Sequence, residues 1–367
     1  MASYKNQHFV PKCYLKPFTL RGEGRAINLY NIDRRGGVRN APVKNQCSKD
    51  YFYGKDLRLE HLLREEEGLY ARILEEIRQP GFRLEDGYKV QLRRFCYLQN
   101  RRTEAASQQA ATFFSEVNDI AYGEDTPAGW RATMQDAVLT GMKIFVETMH
   151  LLDDLKVCLI RNRTKVPFIT SDDPAVLCNR WYLHDRRAKG MSGGVGSAGV
   201  LFFLPLTPDV LCVLYDGDVY SIEREGGWVE AVKPSDIQAF NEHQFLACLA
   251  NIYFADWEHL PLVDEAFAAV EMNRPSARHK VTVAVLDSEN DWGQRFKVVP
   301  RSEFKSQREG MIHLQSIQPS PSQWPSMIRW RAGKKIYSNG SGTGYVRRWS
   351  IESGEYRGQG YRRIPSG

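Results

Sequence analysis

The pair Asp172-Asp173 is the part of this sequence whose residue types are best suited to chemistry. It follows an apolar stretch at 168–170, and Pro174 holds Asp173 in an extended conformation. Two adjacent carboxylates at a strand end can bind Mg²⁺ or Mn²⁺, or orient a water molecule. The same Asp-Asp-Pro sequence also serves ordinary turns, in which the side chains accept backbone hydrogen bonds. The sequence leaves both interpretations open.

Polar residues also interrupt the apolar faces of the predicted helices. Glu66 and Arg102 each fall on the apolar stripe of a long helix, and Asn241 shares a face with apolar residues later in the chain. Because burying an unpaired charge is costly, we expect Glu66 and Arg102 to neutralise each other. These residues are either a structural ion pair with a satisfied core amide, or members of one inward-facing polar site.

His8 adds a side chain that can act as a general acid or base, or bind a metal ion. A single histidine near the start of a chain is equally compatible with a hydrogen-bonded structural role. The other seven histidines show no HxxxH or HxH spacing, which argues against a histidine-rich metal site. The candidate catalytic residues are His8, Glu66, Arg102, Asp172, Asp173 and Asn241, with Asp172 and Asp173 as candidate metal ligands.

Residues 194–199 match GxGxxG, but their context argues against a nucleotide cofactor. A dinucleotide-binding loop needs a strand before it and a helix after it, whereas here a predicted strand, 200–206, follows. We therefore predict a flexible loop that lies over the Asp172 region. Walker A and HExxH sequences are also absent.

The net charge of +6 is concentrated at one end of the 367-residue sequence. Residues 321–367 hold nine basic residues against two glutamates, a charge of +7, so residues 1–320 carry −1. Aromatic residues lie among these cations, which predicts phosphate contacts and base stacking on Trp330 or Trp349. A solvated extension is the alternative. The candidate nucleic-acid-binding residues are Arg329, Trp330, Arg331, Lys334, Lys335, Arg347, Arg348, Trp349, Arg357, Arg362 and Arg363.

Helices and strands are segregated along the sequence, which predicts an α+β fold with long helices packed on a mostly antiparallel sheet. A small basic C-terminal hairpin or tail follows. The expected helices cover 57–78, 85–117, 130–152 and 234–254; the main expected strands cover 26–33, 155–160, 166–170, 200–206, 210–215, 219–223 and 281–286. The expected division is a main domain at 1–260, its continuation at 261–315, a Pro/Ser-rich linker at 316–325, and a tail or small β module at 326–367.

Composition sets the broad class of protein. Hydrophobic residues make up 42% and charged residues 26% of the sequence, which excludes wholesale disorder. The longest apolar run is strand-sized, so we expect no membrane partner. Seven cysteines without CxxC spacing and a polar N-terminus predict reduced thiols in a cytoplasmic protein.

Four stretches together resemble a bacterial family known as domain of unknown function 4238. They are residues 7–18 (HxVPxxYLxxF), 99–103 (QNRRT), 168–174 (FITSDNP in the family) and 203–208 (FPLSP in the family), followed by a helix that carries Asn241. Their order and spacing match over about residues 6–256. The resemblance implies an α+β fold and no established activity, and it carries over His8, Arg102, Asp172 and Asn241. Asp173 stands where the family usually has Asn, which adds a carboxylate.

Two functions from different classes are compatible with these features. The first is a nucleic-acid-directed hydrolase, for which host defence is a suitable context: the two aspartates bind a divalent metal, His8 transfers protons and Arg102 stabilises phosphate charge. The second is a non-enzymatic module that binds nucleic acid or an acidic protein through the C-terminal segment. In that case the inward-facing polar residues form a structural network.

Overall fold

The computed structural model describes residues 5–122, 133–290, 293–304 and 310–365. Its α-helices are α1 (Lys12–Leu15), α2 (Arg58–Ile77), α3 (Asp86–Arg101), α4 (Glu104–Tyr122), α5 (Met134–Thr148), α6 (Arg180–His184), α7 (Pro234–Ala247), α8 (Leu260–Val270) and α9 (Arg348–Glu352). The first strands are β1 (Asn6–His8), β2 (Ala26–Asn31), β3 (Gly36–Pro42), β4 (Ser48–Asp50), β5 (Lys156–Asn162), β6 (Thr170–Ser171), β7 (Val176–Cys178), β8 (Leu201–Thr207) and β9 (Val210–Tyr215). The later strands are β10 (Tyr220–Ser221), β11 (Trp228–Ala231), β12 (Asn251–Phe254), β13 (His279–Asn290), β14 (Gly293–Val299), β15 (Gly310–Ser316), β16 (Arg329–Trp330), β17 (Ile336–Ser338) and β18 (Arg362–Ile364).

The larger sheets are mostly antiparallel, as the segregated helices and strands predict. The five-stranded sheet has the order β11-β5-β9-β8-β7, with β11 and β5 parallel and the other neighbours antiparallel. A four-stranded sheet has the order β3-β2-β12-β6, and a three-stranded sheet has the order β14-β13-β15. The α+β prediction is therefore confirmed.

The core lies between the five-stranded sheet and the long helices. Every residue of β8 is buried, as its continuous apolar run requires for a strand covered on both faces. Helices α2 and α3 meet through Tyr70 and Phe95, whose rings stack with centroids 3.5 Å apart. Helix α7 is buried over most of its circumference, so its polar residues have to find partners inside the protein.

Two predicted helices end earlier than their apolar pattern suggests. The helix predicted over 85–117 divides into α3 and α4 at Arg102 and Thr103, and the helix predicted over 234–254 ends at Ala247 and continues as β12. In both places a side chain binds backbone amides at the break. The start of the helix predicted over 130–152 lies outside the described residues; α5 covers its middle, and a 3₁₀ turn covers 149–152.

The C-terminal segment packs on the rest of the protein. Strand β16 pairs with β10, and β17 pairs with β18. Of the predicted C-terminal hairpin, one bridge joins Tyr337 to Val346 beside the β17–β18 pair, and α9 follows at Arg348–Glu352. The predicted linker at 316–325 is held against α7, where the Ser322 amide and hydroxyl both donate to the Glu242 carboxylate at 2.6 Å.

All seven cysteines are unpaired, and all except Cys13 are buried. Across the described parts of the chain, the helices are all too short or too polar to cross a lipid bilayer.

Candidate functional site

Arg102 lies at the junction of α3 and α4, and only 1% of it is exposed. Its Nε donates to the Tyr53 hydroxyl at 2.8 Å, and Nη2 donates to the His8 carbonyl oxygen at 2.7 Å. The same Nη2 lies 2.8 Å from Glu67 Oε1. Arg102 therefore ties β1, the loop that carries Tyr53, and α2 together, which is a structural role.

The prediction that Glu66 pairs with Arg102 is wrong by one position. Glu66 is exposed, whereas Glu67 is 26% exposed and makes the ion pair. Leu63 and Tyr70 are the buried residues nearest in sequence, and positions 66 and 67 both lie three or four residues from each of them, so the position of Arg102 decides which glutamate makes the pair. Position 66 faces solvent instead.

His8 meets the Arg102 network through its backbone, because the carbonyl oxygen is the acceptor. The imidazole Nε2 is buried and has no hydrogen-bond partner among the described residues. Burial, followed by the nearby charge of Lys12, lowers the pKa of His8 to about 4. The ring is therefore neutral at pH 7, and no described hydrogen bond joins it to Asp172 or Asp173.

Asp172 caps the turn that follows α7. Its Oδ1 accepts the Leu249 amide at 2.7 Å, and Oδ2 accepts the Ala250 and Asn251 amides at 2.8 Å each. Burial raises the pKa of Asp172 to about 6 even though the three amides favour the ionised form. This carboxylate explains why α7 ends at Ala247: it binds the backbone donors that must leave the helix to reach β12.

Asp173 points to different partners. Thr103 donates its hydroxyl to Asp173 Oδ1 at 2.9 Å, and Arg278 Nη1 donates to Oδ2 at 2.8 Å. Both carboxylates of the pair are thus occupied by protein donors, and the described residues contain no cluster of three His, Cys, Asp or Glu side chains fit for a metal ion. The Mg²⁺ or Mn²⁺ site stays a prediction, and the carboxylate oxygens of Asp172 and Asp173 that would bind the ion already accept hydrogen bonds from protein donors.

The side-chain amide of Asn241 is hydrogen-bonded at both its oxygen and its nitrogen, and it joins α7 to the residues just before β6. Its Oδ1 accepts the Ile169 amide at 3.1 Å, and Nδ2 donates to the Pro167 carbonyl at 2.8 Å. It lines a separate cavity of about 310 Å³, and Asp173 lines a different cleft. The predicted catalytic residues therefore do not form one site. His8 and Arg102 share a hydrogen-bond network, Asp172 and Asp173 bind separate protein donors, and Asn241 binds the backbone of residues 167 and 169.

Sequence reasoning missed four partners in these networks: Tyr53, Glu67, Thr103 and Arg278. Thr103 follows Arg102 directly within the QNRRT stretch, so that motif contained the missing signal. Arg278 lies 105 residues from Asp173, and no local pattern connects them.

Among the predicted nucleic-acid-binding residues, the prediction for Arg347 is wrong. It is 1% exposed, and its Nε lies 3.0 Å from Asp154 Oδ2. The remaining guanidinium nitrogens donate to the carbonyl oxygens of Leu151, Val195 and Ser197. A guanidinium with these partners cannot reach a phosphate, so it anchors the C-terminal segment.

The two tryptophans of the set also contact the protein. Trp330 stacks on Tyr220 with ring centroids 5.3 Å apart, and the charged groups of Arg180 and Lys334 lie 4.8 and 5.2 Å from its ring centre. The Trp349 indole donates to the His150 carbonyl at 2.8 Å. Base stacking on Trp330 would therefore have to compete with ring and cation contacts already in place.

The other cations of the segment remain at the surface. Arg329 lies 3.8 Å from Glu223, and Arg348 lies 2.6 Å from Glu352. In the described part of the chain, no carboxylate lies within 4 Å of the side-chain nitrogens of Arg331, Lys334, Lys335, Arg357, Arg362 and Arg363. We refer to these six residues, which share one C-terminal segment, as the basic face.

Comparison with known proteins finds one family. The model of a protein family of unknown function, DUF4238, matches residues 6–258, more than two-thirds of the chain, so this chain belongs to that family. No curated protein matches the chain, and no solved structure matches it.

Proposed function

We propose that this protein binds nucleic acid through the basic face and does not cleave it with the Asp172-Asp173 pair. The observation that supports binding is the placement of these cations. They project from a segment fixed by paired strands, and they have no described carboxylate partner. Cations without a carboxylate partner can replace the counterions of a phosphate backbone.

The contacts of these cations favour a fixed surface over a flexible tail. Arg331 donates through Nη1 to the Gly217 carbonyl at 2.6 Å while the rest of its guanidinium stays exposed. Arg362 and Arg363 occupy consecutive exposed positions on β18, opposite Ser338 and Tyr337 of β17, so the strand holds both backbones while the two side chains enter solvent on opposite sides of it. A cation held by the backbone loses less conformational entropy on binding than one on a free chain.

The hydrolase alternative has less support. A metal ion at Asp172 would have to displace three backbone amides, and at Asp173 it would have to displace Thr103 and Arg278. A nucleic-acid partner and seven unpaired thiols also fit the proposed cytoplasmic location.

The test measures binding of fluorescent single-stranded RNA, single-stranded DNA and duplex DNA by anisotropy over a series of salt concentrations. The test variant carries Lys335→Gln, Arg362→Gln and Arg363→Gln. We expect its affinity to fall by about tenfold or more, and the salt slope for a single strand to become shallower by about 0.7 for each phosphate that the variant no longer neutralises. Parallel incubations with Mg²⁺ and Mn²⁺ monitor the length of the nucleic acid.

The control is Arg34→Gln, Arg64→Gln and Arg94→Gln, which removes the same charge from exposed positions elsewhere. If both triple variants lose affinity equally, binding follows net charge and the proposed surface is wrong. If wild type shortens the nucleic acid with a divalent metal and Asp172→Ala does not, the hydrolase is correct.

A further inference from the structure

A cleft of about 340 Å³ lies beside α4 and is separate from the basic face. Its walls come from the end of α3, from α4, from the start of β13 and from the end of β15 with the residues after it. Gly194 of the GxGxxG segment also lines it, in the same cleft as Asp173. Its volume is in the range of small-molecule sites. We refer to it as the α4 cleft.

Arg101 supplies a positive charge to the α4 cleft. It is partly buried, and its guanidinium lies 5.1 Å from the centre of the Tyr97 ring. Its Nε is fully buried without a hydrogen-bond partner, and no carboxylate of the described residues lies within 4 Å of its nitrogens. A cation that is partly removed from water, with a buried Nε and no anion beside it, is suited to receive one.

Two further polar groups of the same cleft have no hydrogen-bond partner among the described residues. The side chain of His279 is 7% exposed, and its Nε2 has no hydrogen-bond partner among the described residues, although it lies 3.5 Å from Glu116 Oε1. Gln318 Oε1 is also buried without a donor. Natural proteins satisfy nearly all buried polar groups, so the unpartnered Arg101 Nε and Gln318 Oε1 beside one cleft point to a ligand.

The rest of the lining is apolar and partly aromatic. Phe113 and Phe114 of α4 and Ile144 of α5 face the cleft, and Phe113 packs edge-to-face on His279. Asp173 and Arg278 also line it, but their charges satisfy each other. The uncompensated charge is therefore that of Arg101, which lies beside a surface suited to a planar ring.

From these features we infer that the α4 cleft binds a small planar aromatic anion, such as a mononucleotide or an aryl carboxylate. The acidic group pairs with Arg101, the ring lies against Phe113, and polar ring atoms meet Gln318 and His279. The inference does not depend on the basic face, which lies on other residues.

The experiment measures binding to the full chain by calorimetry. The probes are adenosine 5′-monophosphate, 2-naphthoate, adenosine and inorganic phosphate. We expect at least one of the two aromatic anions to bind at least about tenfold more tightly than adenosine or phosphate alone, because each of those lacks one of the two groups that the cleft recognises. The two aromatic anions separate a nucleotide site from a general aryl carboxylate site.

Arg101→Met should weaken binding of the aromatic anion by about tenfold or more, and Phe113→Ala should do so because it removes the surface on which the ring packs. Arg94→Met is the matched control, because it removes an exposed arginine from the same helix, and it should change affinity by less than about twofold. Circular dichroism of each variant confirms folding. The inference is wrong if neither aromatic anion binds wild type at about 1 mM, or if Arg94→Met and Arg101→Met weaken binding equally.

Discussion

His243 lies in the middle of α7 with both ring nitrogens buried and without hydrogen-bond partners among the described residues. Its neighbours are the rings of Phe203, 4.8 Å away, and Trp324, 4.9 Å away. Burial lowers the pKa of His243 to about 3. The imidazole is therefore neutral and packs like an apolar aromatic ring.

We predict that His243→Phe is stability-neutral or stabilising at pH 7 and makes the protein more acid-resistant. Below pH 6.5 the unfolded chain protonates this histidine and the folded one does not, so the wild type loses stability as the pH falls. At pH 4.5 that loss is on the order of 2–3 kcal/mol. Urea unfolding at pH 7 and pH 4.5 measures it.

In the phenylalanine variant the pH-dependent loss should shrink by that amount. The exposed His61, changed to Gln, is the control and should keep the wild-type pH dependence. An unchanged acid response in His243→Phe would contradict the burial of a neutral imidazole.

The error at Glu66 marks how far sequence reasoning reaches at a single residue. The apolar stripe of α2 correctly indicated that a carboxylate lies near Arg102, but a helical stripe is wider than one residue. The choice between positions 66 and 67 depends on where Arg102 lies across the helix pair, which is tertiary information. The pairing chemistry was predictable and the position was not.

Thr103 directly precedes α4 and caps it, which explains why the predicted long helix is two helices. Its Oγ1 accepts the Ala106 amide at 3.2 Å, which is the hydrogen bond of an N-cap. The same hydroxyl donates to Asp173, so one side chain joins the start of α4 to the end of β6. The break at this point directs α4 towards β13, against which it packs.

We predict that Thr103→Val lowers the free energy of unfolding by about 1–3 kcal/mol, because it removes a helix cap and leaves Asp173 one donor short. Thr103→Ser keeps the hydroxyl and should lose less than half as much. Chemical denaturation of both variants measures the difference. Equal losses in the two would contradict the prediction, because they would show that the methyl group contributes as much as the hydroxyl at this position.

Helix and strand identity was predictable where the apolar period was strong, as in α2, β8 and β9. The ends of α3 and α7 were not, because both depend on hydrogen bonds between groups far apart in sequence. Asp172 binds backbone groups 77 to 79 residues ahead of it, and Thr103 binds Asp173 over 70 residues. Sequence periodicity contains no information about such partners.

At the scale of the whole molecule, the C-terminal segment is part of the main core. Ile328, Ile336 and Tyr345 belong to the same buried cluster as the residues of β8 and β9. The carboxylates of Asp236 and Glu242 accept hydrogen bonds from Ser326 and Ser322. The charge distribution correctly located a distinct basic region, but charge gives no information on whether its apolar residues are packed.

We therefore predict that removal of residues 321–367 destabilises the whole protein, rather than simply removing a binding surface. The truncation exposes the apolar cluster to water. It also removes the serine donors of the Asp236 and Glu242 carboxylates and the arginine that pairs with Asp154. Arg347→Met tests the anchoring arginine and should cost about 3–5 kcal/mol, because it leaves the partly exposed Asp154 carboxylate and three carbonyl oxygens without their donor. Arg363→Gln, on the exposed face of the same segment, should cost less than about 0.5 kcal/mol. Thermal unfolding and limited proteolysis of the three proteins measure these effects, and a 1–320 fragment that melts cooperatively at the full-length temperature would show that the segment is an independent module.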